Sequence, residues 1–330
     1  MTPFEVGDFL PNTPHLFADL VELLAFVKLD GKSSIHKNDV ISLRQAGVTG
    51  AEEVDEEEKE TAQLGYGAAK IDRIESQLED TWTNLKYRES AFKDDYPFVI
   101  QGDEIRLKEQ LTSRQRVYRL LTCCSRLRSF KKSKGAAQRW AKAFTNTCQV
   151  SMKGLVPAHA SVRVFDANSD DRQSYYGTDL RNALKILGKD LGVLSINESE
   201  CNSASASGDG GLDLVSVATE SDGATTSFAL LGQCGAQETN WPSKTFEAHA
   251  FAMRNFYQIQ FDYPTIMFTP VCYRNADGAW VSNKPSNGVY LADRLRILSL
   301  IKKHTHIYQI TQSDWFKNFE KELKSFEIKT

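Results

Sequence analysis

The sequence predicts an α/β chain in two parts. A mainly helical N-terminal domain spans residues 1–150, and a mixed domain over 151–330 runs helix, three strands, helix, strand. Three observations lead there. A chain of 330 residues exceeds the ~150 usual for one domain. Its first half repeats apolar residues at helical spacing. Residues 174–274 instead interleave runs of β-forming residues, an Asp-Gly turn and two amphipathic segments.

Composition limits the alternatives. Apolar residues make up 41% and charged residues 25%, as in an ordinary globular chain, and a chain this long can bury a core without staples. No apolar, uncharged run is long enough to cross a membrane. Glu5 and Asp8 stand where a secretory leader would carry basic residues. The six cysteines form no CxxC and the six histidines no HExxH, so a structural zinc site is not expected. A cytoplasmic protein with reduced thiols is expected.

Along the chain, Leu16, Leu20, Leu23, Leu24 and Phe26 recur at helix spacing over 13–43, with Asn12 or Thr13 as cap. The segment 51–60 holds seven acids and one lysine and reads as a solvated face or linker. A helix over about 61–91 follows. Between 105 and 143 the balance inverts: twelve basic residues, among them Arg126, Arg128, Lys131, Lys132 and Lys134, face the single acid Glu109. Such a stretch is either a set of solvated helix faces or a phosphate-binding surface for nucleic acid, since like charges in one region favour an anionic partner. The polar run 157–173 reads as a connecting loop.

The second half is expected to begin with a helix over 174–192, its core face formed by Tyr176, Leu180, Leu184 and Leu187, ended by Gly188 or Gly192. Strands over 193–200, 211–219 and 227–235 follow, the last two joined at Asp222–Gly223. A helix over 242–259, with Pro242 at its start, leads to a buried strand over 263–274. The tail adds a turn at 275–280, a helix near 288–304 with Asp293 and Arg294 as a surface pair, and a last helix capped by Ser313 or Asp314. These tail elements are expected to cover the sheet. The hairpin places Asp213 opposite Gly232 or Gln233, and directly opposed residues share a face. The glycine-rich loop 208–211 at the same end allows another backbone to approach.

GDGGLDLVSV followed by SFALLGQCG resembles the PD-(D/E)xK nuclease superfamily, in particular the Mrr-type restriction endonucleases. There a glycine-rich turn leads into an aspartate-bearing strand, and the next strand ends in Gln-x-Lys. The resemblance covers about 100 of 330 residues. It implies a restriction-endonuclease-like αβββαβ core and a Mg²⁺- or Mn²⁺-dependent endodeoxyribonuclease acting on DNA. Asp213 would bind the metal and Gln233 would fill the second acidic position. The family's lysine is missing, because Gly235 stands in its place. Either Lys244, at the start of the next helix, supplies the amine, or the fold is an inactive subunit that binds DNA or a partner protein. Asp179 and Asp209 are further acids, read first as a solvated residue and a turn former. Glu198 and Glu200 share a strand face, and His249 reads as a packed histidine. The resemblance also implies an effector of a bacterial anti-phage or restriction system, working beside a sensor or DNA-translocating ATPase. No P-loop lysine follows GDGG and no GxSxG is present, so nucleotide-binding and serine-hydrolase chemistry have no support.

Overall fold

Helical periodicity dominates the first part of the chain because its apolar residues fall three and four apart. The structure, a computed structural model, describes residues 13–28, 31–45, 66–130, 133, 135–219, 227–236, 238, 241–260 and 262–326. The acidic segment 51–60, Lys131, Lys132, Lys134, the Asp222–Gly223 turn and Asn240 lie outside the described residues. The chain forms two units. One is drawn from Met1–Ala141, Val271–Val281 and Thr311–Thr330, the other from Lys142–Pro270 and Ser282–Ile310. The division therefore falls inside a helix rather than at residue 150, and the last helix belongs with the first unit instead of covering the sheet of the second.

In the first unit, the single helix expected over 13–43 is α1 (Pro14–Phe26), β1 (Ser34–His36) and α2 (Lys37–Gln45). The expected helix over 61–91 is α3 (Tyr66–Phe92). β2 (Phe98–Gln101) and β3 (Glu104–Leu107) form a hairpin, and β3 also pairs antiparallel with β1. α4 (Ser113–Ser125) starts at a capping box in which Thr112 and Gln115 satisfy each other's backbone N–H groups. α5 (Ala136–Met152) contributes its N-terminal part. There Trp140 is buried against Phe130, Phe319 and Phe326, and its indole N–H donates to Glu322 at 2.8 Å.

The second unit is organised by strands. β4 (Ser161–Val164) lies in the stretch expected as loop, and is followed by α6 (Leu180–Leu191), capped by Asp179 and ended by Gly192 in the left-handed conformation. β5 (Ser195–Ile196) is all that forms of the strand expected over 193–200. The chain turns at once into α7 (Glu198–Ser203), whose N-cap Asn197 accepts from the Glu200 N–H. Glu198 and Glu200 thus sit in a helix's first turn, where acids complement the dipole, and not on a strand face. β6 (Leu214–Ala218) and β7 (Phe228–Cys234) match the expected hairpin strands. In place of the helix over 242–259 there is a 3₁₀ turn at Trp241–Lys244, the short α8 (Ala250–Met253) and β8 (Tyr257–Gln258), which pairs with β5. β9 (Thr265–Phe268) and β10 (Tyr290–Ala292) complete the strands, and α9 (Arg294–Leu300) and α10 (His304–Gln312) follow. α11 (Asp314–Leu323), capped by Ser313, returns the chain to the first unit.

The main sheet has five strands in the order β10-β9-β7-β6-β4. β4, β6 and β7 are antiparallel, and β9 and β10 extend the sheet in parallel. Every residue of β6 is buried, which explains its near-continuous apolar run. Val215, Val217, Ala229 and Leu231 pack with Leu180, Leu184, Leu187 and Tyr257 in one core. Asp293 and Arg294 are fully buried rather than a surface pair. Asp293 caps α9 and Arg294 donates to the Pro270 carbonyl, so the charges close a helix end and a loop.

Candidate functional site

Antiparallel register builds the site. Leu214 faces Gly232 and Ala218 faces Phe228, so the next step outward sets Asp213 opposite Gln233. The Asp213 N–H donates to the Gly232 carbonyl at 3.0 Å. One Asp213 carboxyl oxygen, Oδ2, accepts from the Cys234 N–H at 2.7 Å. The carboxyl is therefore tied to the end of the neighbouring strand, while Oδ1 makes no hydrogen bond with the described residues.

The glycine-rich loop closes that end. Asp209 accepts from the Gly211 N–H at 2.8 Å, which makes it the turn former its neighbours suggested. Gly211 has φ +83°, and a Cβ there would lie 3.0 Å from the Glu247 carbonyl. Only glycine meets both demands without strain. The loop thus rests on the segment that carries Lys244 and Glu247.

Gln233 is 5% exposed. Its Nε2 donates to Glu247 Oε2 at 3.1 Å, while its Oε1 is buried with no partner among the described residues. An unpaired buried carbonyl costs about 1–3 kcal/mol, so a donor, a water or a cation at this oxygen would be stabilising.

Electrostatics single out Asp213. Burial pushes its pKa up to about 7. The Cys234 N–H opposes that rise, the carboxylates of Asp209 and Asp166 add to it, and the nearby Lys244 ammonium counters it. Asp166 follows β4, so a stretch read as loop contributes to the site. Arg172 is fully buried there, stacked over the Phe165 ring at 4.5 Å. It donates to the carbonyls of Phe165 at 2.9 Å and Gly177 at 2.8 Å, and its Nη2 is without a partner among the described residues.

Gly235 has a steric cause. A Cβ at this position would fall 2.4 Å from both Trp241 Cβ and Met267 Cε. A lysine at position 235 would meet Trp241, which occupies the space. Lys244 ends the same 3₁₀ turn, Trp241–Lys244, and its charge is among those that act on Asp213.

Other expected participants lie elsewhere or act structurally. Asp179 caps α6 and pairs with Arg181 at 2.9 Å. His249 caps α8, its Nδ1 accepting from the Phe251 N–H at 3.1 Å. Arg126 is 2% exposed, so it presents no guanidinium to a phosphate backbone, and Arg128 is half-buried. Four arginines of the basic stretch are paired with acids of their own unit. Arg114 pairs with Asp95, Arg116 and Arg119 with Glu320, and Arg139 with Glu322. Glu247 and Asp166 had no motif to mark them, although Glu247 follows Lys244 by three residues.

Two side-chain oxygens of this site are of the type that a hard divalent cation takes. Asp213 Oδ1 and Gln233 Oε1 are oxygens left without partners on one strand-pair end, and Mg²⁺ characteristically takes one or two protein oxygens while keeping waters. Among the described residues no three His, Cys, Asp or Glu side chains gather as a metal cluster. Compared with protein-family models, curated proteins and solved structures, the chain matches none.

Proposed function

We propose that this chain is a Mg²⁺-dependent DNA endonuclease with its centre at Asp213, Gln233 and Lys244. The observation that carries the reading is the pairing of Asp213 with Gln233 across the β6–β7 ladder, one oxygen of each left open, with Lys244 acting on Asp213. The sheet order supports it: β4, β6 and β7 are antiparallel and β9 extends them in parallel after a crossover, although with β4 in the role assigned to residues 193–200, α6 lies between the first two strands instead of ahead of them as in αβββαβ.

Asp213 and Gln233 would hold the cation, which when bound stabilises charge on the phosphate and makes hydroxide accessible near neutral pH. Lys244 steadies the charge developing on the phosphate and orients the attacking water. Lys131, Lys132 and Lys134 carry the phosphate-holding part of the proposal, since paired arginines contribute little to it. Within this reading the chain serves a bacterial anti-phage system beside a DNA-sensing or translocating partner, as the resemblance implies.

The test is plasmid nicking by the purified chain with Mg²⁺ or Mn²⁺. Asp213→Ala should abolish it and Lys244→Ala should lower the rate about 10²–10³-fold, the usual loss for one charge-stabilising donor. The second reading, a non-catalytic binding subunit, is favoured by Gly235 and the lack of a three-ligand cluster among the described residues. Its signature is salt-sensitive DNA binding with no cleavage even when a partner is supplied.

A further inference from the structure

We infer that Glu247 is a positioning residue, which fixes the Gln233 amide so that its oxygen, not its NH₂, faces a divalent cation at Asp213. The inference rests on the nuclease reading. A glutamine amide can sit either way round, and its two orientations differ in what they offer a cation. A carboxylate only accepts hydrogen bonds. With Glu247 Oε2 at 3.1 Å from Gln233 Nε2, the flipped amide would set two acceptors against each other. The NH₂ is therefore held toward Glu247, and the buried, unpartnered Oε1 is left for the ligand. Register places that side chain on the face it shares with Asp213.

Glu247 is itself held in place. Its backbone lies against Gly211, where even a methyl would come within 3.0 Å of its carbonyl. The glycine-rich loop thereby sets Glu247, Glu247 sets Gln233, and Gln233 presents the oxygen. This chain of contacts also accounts for glutamine at the second position: a carboxylate there would face Glu247 as a like charge.

The test is Mn²⁺ binding by the full chain, measured by isothermal titration calorimetry beside thermal melting in EDTA. Glu247 is exposed, so Glu247→Ala should melt like the wild type in EDTA while binding Mn²⁺ about 10–100-fold more weakly, the usual effect of removing a residue that orients a ligand. The exchanged pair Gln233→Glu with Glu247→Gln restores a donor facing an acceptor and should recover most of the affinity. Asp213-dependent binding that is unchanged in Glu247→Ala, or not recovered by the exchange, would overturn this inference and leave the nuclease reading standing. Absence of any Asp213-dependent binding in the wild type would overturn both.

Discussion

Arg88 shows how a single side chain can hold a unit together. Asp19 and Glu22 on α1 are fully buried, and the Arg88 guanidinium lies 2.6 Å from Asp19 and 3.1 Å from Glu22. Tyr96 and Tyr118 both donate to Glu22. Removing one partner of a buried ion pair strands the other charge, so Arg88→Met should cost about 3–5 kcal/mol in denaturant unfolding. His15, on the same helix, gives a pH signature. Burial lowers its pKa to about 4, with Arg88 contributing and Asp19 opposing. Between the ordinary value near 6.5 and about 4 the unfolded chain holds a proton that the folded chain lacks. The stability is complete above that window and is lost as pH falls through it. Asp213, pushed upward, slopes the opposite way, so the readout is the difference between variants. His15→Gln should reduce the stability lost between pH 7 and pH 5 by about 2 kcal/mol relative to wild type. None of the buried charges was legible in the sequence, where an acid in an apolar helix looks like any solvated acid until its partner 69 residues away is known.

At the scale of elements, the hairpin of β6 and β7 was legible because two apolar runs flank an Asp-Gly pair, and a turn centred there gives a register close to the observed one. The helix α6 was equally plain from Leu180 onward, its apolar face and left-handed Gly192 both written locally, but Gly177 at φ +79° ends a separate π-helical turn at Arg172–Tyr176, so Tyr176 is not part of the helix expected over 174–192. The strand beside β6 was not. β4 has only four residues, three of them half-buried at the sheet edge, so no alternation stands out from its polar surroundings. The crossover between β7 and β9 misled in the other direction: residues 242–259 have helical spacing, yet packing on Gly211 and Gly235 breaks them into a 3₁₀ turn and one short helix. Gly235→Lys, which would restore the family motif on paper, drives a side chain into Trp241 and Met267. It should lower stability by about 1–3 kcal/mol, as overpacked cores do, with no gain in cleavage. Recovered or increased cleavage in that variant would contradict the placement of Lys244.

For the whole molecule, the basic stretch illustrates the limit of reading charge along a chain. Its excess is real in sequence, but Asp95, Glu320 and Glu322 answer four of its arginines within the same unit, and only the fold reveals that. The candidate site shows the reverse: register set Asp213 opposite Gly232 or Gln233 and the resemblance supplied their proposed roles, while Glu247 and Asp166 needed tertiary structure to appear. On the nuclease reading Asp213 serves chemistry and not the fold, which Asp213→Asn tests directly. The amide oxygen can still accept from the Cys234 N–H, and above pH 7 the substitution removes a desolvated charge. Plasmid nicking with Mg²⁺ should disappear in Asp213→Asn while its melting temperature at pH 8 equals or exceeds that of the wild type. Cleavage at the wild-type rate by Asp213→Asn would contradict the account.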